Sequence, residues 1–197
     1  MSKRWIRAAF VGGLGLLLAA TETEALPIDL SLAVTSQTPT AIEIEVRIEG
    51  LVDSALPSLK GYDLTVTFDS GLLDFDSVVS FTSLLTPPGS SGSTEGTGTV
   101  EIAQLSSHSV ATLTAQPDSF VLATLRFLPI GVGTANLGFN LGAAGTELIG
   151  VDSDGLVDLL PSLGDVTGTS VEVPEPALLA LLAGGLAATA RTLRRRG

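Results

Sequence analysis

Ala41-Ile42-Glu43-Ile44-Glu45-Val46-Arg47-Ile48-Glu49 alternates apolar with charged residues almost without a break. Successive side chains of an extended chain point to opposite faces. Ile42, Ile44, Val46 and Ile48 therefore fall on one side, and Glu43, Glu45, Arg47 and Glu49 on the other. The pattern predicts an antiparallel strand with one face on a core and the other in water.

The same period of two extends outward. Before this stretch, Ile28-Asp29-Leu30-Ser31-Leu32-Ala33-Val34 alternates. After it, Tyr62, Leu64, Val66 and Phe68 alternate with Asp63, Thr65 and Thr67, and are followed by the turn Asp69-Ser70-Gly71 and by Leu73, Phe75 and Val78. Further strands are predicted over 99–105, 110–113, 120–128, 135–141, 148–151 and 166–173, with Val121, Ala123, Leu125 and Phe127 inward in the third of these. No stretch of the body sustains a helical period, and 156–163 holds at most one short turn. Eight or nine short strands separated by turns indicate an all-β sandwich or jelly roll. Thr86-Pro87-Pro88-Gly89-Ser90-Ser91-Gly92-Ser93-Thr94-Glu95-Gly96-Thr97-Gly98 is expected to be a mobile surface loop, since Gly, Ser and Pro supply little to a core. No internal repeat or second domain is visible.

Both ends of the 197-residue chain read as targeting segments. Lys3, Arg4 and Arg7 form a positive region, 8–20 is apolar, and Thr23-Glu24-Ala25 is a small-x-small site, which together describe a secretory signal peptide over 1–25 and imply a signal peptidase. Cleavage is expected after Ala25, with Ala20 or Thr21 as the alternative. At the other end, Pro174 and Pro176 hold the strip from Val173 to Pro176 out of helix or central strand. The 14 residues 177–190 carry no charge and are rich in Ala and Leu. At 1.5 Å per residue the run is about 21 Å long, short of a hydrocarbon core of about 30 Å. A core helix or amphipathic tail is one reading. The flank favours the other: Arg191, Arg194, Arg195 and Arg196 form a positive-inside stop-transfer cluster whose stems can snorkel, making a short transmembrane helix.

Between the ends, 26–172 forms one domain. It keeps only Arg47, Lys60 and Arg126 against 18 of the chain's 21 Asp and Glu, a balance that excludes nucleic-acid binding. The chain has no cysteine, so no disulfide, thiol nucleophile or Cys metal site exists and stability must come from packing.

Val173-Pro174-Glu175-Pro176, the Ala/Leu/Gly run and the terminal arginines, taken in that order at the C-terminus, resemble the PEP-CTERM sorting signal of Gram-negative bacteria, here over 173–197. The resemblance implies that an exosortase, a multi-pass membrane enzyme, recognises Pro174-Glu175-Pro176 and cleaves or transfers the chain nearby. It implies passage through the inner membrane to the cell surface or extracellular matrix, in cells that commonly make extracellular polysaccharide. The body resembles a second family. Residues 61–75, an apolar alternating strand ending in Asp69-Ser70-Gly71 and followed by Leu73 and Phe75, together with Val121-Leu122-Ala123-Thr124-Leu125-Arg126-Phe127 and Gly131-Val132-Gly133-Thr134-Ala135-Asn136-Leu137, are similar to paired strands of cohesin-like domains. Ser70 stands where that family commonly has proline. The implied fold is a cohesin-like β-sandwich; fold alone does not carry over a dockerin ligand.

Candidate chemistry is sparse. His108, the only histidine, lies in Ser106-Ser107-His108-Ser109 without a nucleophile-elbow pattern, and reads as a surface or loop residue rather than a catalytic one. Asp152-Ser153-Asp154-Gly155 with Asp158 begins like a calcium loop but lacks the closing Glu, so a hairpin turn competes with calcium binding by Asp152, Asp154 and Asp158. Asp74 and Asp76 are spaced like carboxylates on one strand face, either a glycosidase pair or solvent-facing acids around Phe75. Gly12-Gly13 and Gly184-Gly185 are not phosphate loops, since no Lys-Ser/Thr follows. The expectation is a non-enzymatic, exported binding or display domain without a cofactor, whose partners are polysaccharide or another surface protein. The alternatives are a secreted polysaccharide hydrolase and a plain membrane-anchored domain.

Overall fold

The computed structural model describes residues 27–86 and 88–173. The segment expected to be a signal peptide, Pro174-Glu175-Pro176, the apolar run and the four terminal arginines lie outside the described residues. Among the described residues twelve strands form two sheets. The first has the order β11(Leu163–Thr167), β1(Ile28–Gln37), β2(Ile42–Glu49), β7(Phe120–Pro129), β4(Leu73–Phe81). In the second, β10(Gly155–Asp158), β9(Glu147–Asp152), β3(Ser58–Phe68), β6(Thr99–Ser106) and β5(Pro88–Gly96) follow one another. β8(Gly133–Phe139) joins the far half of β3 and carries β12(Thr169–Val173). All neighbours are antiparallel except β1 and β11, which run parallel and bring Ile28 beside Leu163.

The alternation expected of β2 is realised: Ile42, Ile44, Val46 and Ile48 are fully buried and their charged neighbours are not. They face Leu64 and Val66 of β3 and Val100 and Ile102 of β6 in one continuous core. Phe127 of the first sheet joins the layers, with its ring 5.1 Å from that of Phe68 and 5.7 Å from that of Phe75. Burying such side chains supplies the main stabilisation, roughly 25 cal/mol per Å² of apolar surface removed from water.

Several local expectations are corrected. Val110–Leu113 is one turn of helix, α1, not a strand: Leu113 and Thr114 donate to the carbonyls of Ser109 and Val110, and the segment lies in the crossover between sheets, where no strand is offered to it. Four residues are too few for alternation to separate the two conformations. Most of the stretch expected to be a loop is strand β5, paired with β6 from Pro88↔Ser106 to Gly96↔Thr99. An edge strand needs one backbone partner and no buried side chains, so its composition conceals it. In β7 the buried set is Leu122, Ala123, Leu125 and Phe127, because a register shift opposite Val46 and Arg47 turns Leu122 inward and leaves Val121 at the margin. The segment 156–163 holds β10, a 3-10 turn at Leu160–Ser162 and the start of β11, and 166–173 divides between the two sheets at Gly168.

Gln116 is a polar residue of the core that pattern reading missed. Its amide donates to the Leu59 carbonyl at 2.7 Å and accepts from the Leu59 N–H at 2.8 Å, acting as a one-residue strand where β6 does not reach. A second set joins the sheets. Tyr62 hydroxyl donates to the Leu122 carbonyl at 2.9 Å, and Gln104 Nε2 donates to the Thr82 carbonyl at 3.1 Å. Burial pushes the Tyr62 hydroxyl far above its ordinary pKa.

Candidate binding face

Strand register lays out the outer face of the second sheet in rows. Asp158, Ile149, Gly61, Leu105 and Ser90 are successive partners across five strands. One row along lie Glu147, Asp63, Ala103 and Gly92, then Thr65, Glu101 and Thr94. The centre is built from small residues, and that has a physical cause: a Cβ at position 61 would stand 2.8 Å from Leu105 Cδ1 and 2.9 Å from the Gln104 carbonyl. Leu105, 40% exposed, leans across the place where a side chain would be. The result is a depression of about 160 Å³ floored by Tyr62, Ala103 and Gln104 and rimmed by Asp63, Leu105, Glu147 and Ile149. Beside it, a groove of about 500 Å³ runs between β9, β10 and the following 3-10 turn, lined by Leu148, Ile149, Leu156, Val157 and Leu160 with Glu147 and Asp158 at its edge. Leu156 is 69% exposed there.

Carboxylates give this apolar centre its charge. Asp63 is held above its ordinary pKa by partial burial first, and then by the neighbouring charges of Glu101 and Glu147. The face thus offers leucine and isoleucine side chains ringed by acids, a surface suited to apolar groups flanked by cations.

Of the residues singled out in the sequence, Asp158 lies on this face, at the edge of the groove, and the others are placed elsewhere. Asp152 Oδ1 accepts from the N–H groups of Asp154 (2.8 Å) and Gly155 (3.0 Å), closing the β9–β10 hairpin, and Asp158 Oδ1 accepts from the Leu160 N–H at 2.9 Å. Gly155, at φ 131°, occupies a conformation that favours glycine. Among the described residues no group of three or more His, Asp or Glu side chains is arranged to hold a metal ion. His108 is half-buried, with its N–H donating to Ser106 Oγ. Asp74 and Asp76 are exposed; a register shift separates them, and Asp76 lies 3.7 Å from Arg126. Val173, expected to begin an accessible strip, is 3% exposed and pairs with Gly133 at the end of β12. No described helix is long and apolar enough to cross a membrane.

The face itself was only half legible. The alternation of 62–68 puts Asp63 and Thr65 outward, but which residues of β6 and β9 stand beside them is a matter of register, which sequence period alone does not give.

No protein-family model matches the chain. No curated protein matches it either. Solved structures do. The seventh type I cohesin of ScaB from Pseudobacteroides cellulosolvens aligns at 11% identity and a TM-score of 0.59, covering 76% of this chain and 93% of its own. The sixth cohesin of scaffoldin B from Acetivibrio cellulolyticus, solved in complex with a Cel5 dockerin, aligns at 19% identity and 0.56, covering 75% and 99%. A cohesin module from a family 33 glycoside hydrolase of Clostridium perfringens aligns at 18% and 0.54, covering 75% and 96%. At these identities the likeness is one of fold, and by fold the chain is a cohesin-like β-sandwich.

Proposed function

We propose that this chain is an exported display module whose sandwich binds a protein partner through the outer face of the second sheet, and whose residues 173–197 are a PEP-CTERM signal processed by an exosortase. The observation that carries the binding half is the contrast on that face: exposed Leu105 and Leu156 with half-buried Ile149 around a depression and the groove beside it, and Asp63, Glu101, Glu147 and Asp158 as rim. The partner is a surface protein presenting apolar side chains beside Lys or Arg. A polysaccharide is less well served, because flat sugar faces stack on aromatic rings. Trp5, the one Trp, is in the leader, and Tyr62, the one Tyr, is buried. That neighbours of the same fold include a dockerin complex supports a protein partner without naming it. Hydrolysis has weaker support: the depression at Asp63 and Glu147 is only about 160 Å³, and the groove of about 500 Å³ beside it is lined mainly by apolar side chains, with Asp158 accepting from the Leu160 N–H.

Sorting is tested by the intact mass and fractionation of the protein from its native host, beside a variant with Pro174→Ala, Glu175→Ala and Pro176→Ala. Loss of the arginine tail in the wild type alone supports exosortase processing. An intact tail in both leaves a membrane-anchored domain. Binding is tested by cross-linking on the same cells with Leu105→Asp and, from the opposite sheet, Glu43→Lys. A cross-linked protein retained by the Glu43 variant and lost by the Leu105 variant supports the face, and equal retention overturns it.

A further inference from the structure

The β7–β8 turn, Ile130-Gly131-Val132, carries two of the most exposed large apolar side chains of the described residues, Ile130 at 54% and Val132 at 53%. It is also held rigidly. The N–H groups of Ile130 and Gly131 both donate to the Leu72 carbonyl, at 2.9 and 3.2 Å, and Leu72's side chain fills the space beneath Gly131 and Gly133. The turn lies in the chain's 20 uncharged residues between Arg126 and Glu147.

Its position is defined by strand pairing. β8 and β12 are antiparallel with Gly133 opposite Val173, so Val132, the residue before Gly133, lies at the level where the chain leaves the sandwich. Adjacent strands are about 5 Å apart, and Val173 is four Cα steps of 3.80 Å, about 15 Å at most, from Ala177, where the uncharged apolar run begins. The other turns at this end, 38–41, 69–72 and 97–98, contain a single acid, Asp69, whose Oδ1 is engaged by the Gly71 N–H at 3.0 Å. Connections at the opposite end carry Asp53, Asp118 and Asp154.

We infer that Ile130 and Val132 form a membrane-contacting tip, which inserts into the interfacial region of the lipid bilayer while the tail anchors the chain. This rests on the reading of 177–190 as a membrane segment. A bilayer fits because the tether fixes both the distance and the side of approach. Two aliphatic side chains on an uncharged, braced turn suit the boundary between headgroups and acyl chains; the acidic connections lie at the far end, and exposed Glu172 at this end accepts from the Thr134 hydroxyl at 2.7 Å. The tip would also orient the sandwich, standing its strands off the membrane with the Asp53 and Asp154 end outward.

The absence of cysteine allows single-site labelling of the full chain. Val132→Cys, with Ile130→Cys as a second position should the first fail to fold, and Ser153→Cys at the far end each receive an environment-sensitive fluorophore. The proteins are reconstituted into phosphatidylethanolamine–phosphatidylglycerol vesicles containing brominated lipid. The expected result is flotation of all variants with the vesicles, a blue-shifted emission at 132 or 130 quenched about twofold or more by the brominated lipid, and no quenching at 153. Flotation with 130 and 132 as water-exposed as 153 overturns the tip while leaving the tail reading intact. Failure of the unmodified chain to float overturns the tail reading and the tip with it.

Discussion

On the first sheet the outward residues of β2, Glu43, Glu45, Arg47 and Glu49, stand beside Thr124 and Arg126 of β7 and near Asp76 of β4. On the second, the corresponding positions of β3, β6 and β5 hold Gly61, Asp63, Thr65, Ala103, Leu105, Ser90 and Gly92. Both sheets bury their inner rows equally well, so the hydrophobic requirement of the fold is met on each side and leaves the outward residues free to differ. The first face is dense with long, solvated charges that resist close approach. The second keeps small residues and exposed leucines where a flat partner could lie against backbone and aliphatic surface.

If the two faces share one core, the largest effect should come from the residue joining them. Phe127→Ala is expected to lower unfolding free energy by roughly 3–5 kcal/mol, with one transition in urea whether followed at either sheet. Two separate transitions would show that the faces belong to independently stable layers. Gln116→Leu comes next: it strands both polar groups of Leu59 and should cost about 1–3 kcal/mol by the same measurement. A loss below that range would mean water replaces the amide.

Asp63 sharpens the comparison through pH. Its folded pKa is raised, so the folded state binds its proton more tightly than the unfolded chain does. The resulting penalty is absent below the ordinary Asp range, grows as pH rises through the raised value, and is complete above it. Asp63→Asn should therefore be slightly stabilising at neutral pH and lose that advantage in acid. An unchanged pH profile would show that neither burial nor the neighbouring acids raise Asp63. The smallest effect is expected on the first face, where Arg126 and Asp76 are 3.7 Å apart and half exposed, and Arg126 Nε has no hydrogen-bond partner among the described residues. Arg126→Gln should change stability by less than about 0.5 kcal/mol, vanishing in high salt.

How much of this was readable follows from which interactions are periodic. The alternating rows of β1, β2 and β3 were legible because burial imposes a period of two on contiguous residues. β5 was not, because pairing its backbone makes no demand on Ser90, Gly92 or Thr94 beyond small size. α1 was hidden because four residues are too few to show a period, and Gln116 because its partner, Leu59, is 57 residues away in sequence. The candidate face combines both cases. Its outward residues on β3 were visible singly, but the meeting of Gly61 with Leu105 and of Asp63 with Glu147 depends on register that only the folded sheet provides.

The parallel pairing of β1 with β11 also governs when the molecule becomes whole. A chain that emerges N-terminus first presents β1 early, yet the edge that covers it comes from 163–167, and Val171 and Val173 enter the core only at the last described strand. Ile28 must wait for Leu163, a separation spanning most of the domain, and contacts of such long range make for slow closure. Until β11 and β12 dock, the edge of β1 and the hydrophobic residues of β8 remain open to other chains. The final ten or so residues of the sandwich thus act as its clasp, and any event that halts or severs the chain ahead of Val173 would leave an assembly-prone intermediate rather than a shortened but intact domain.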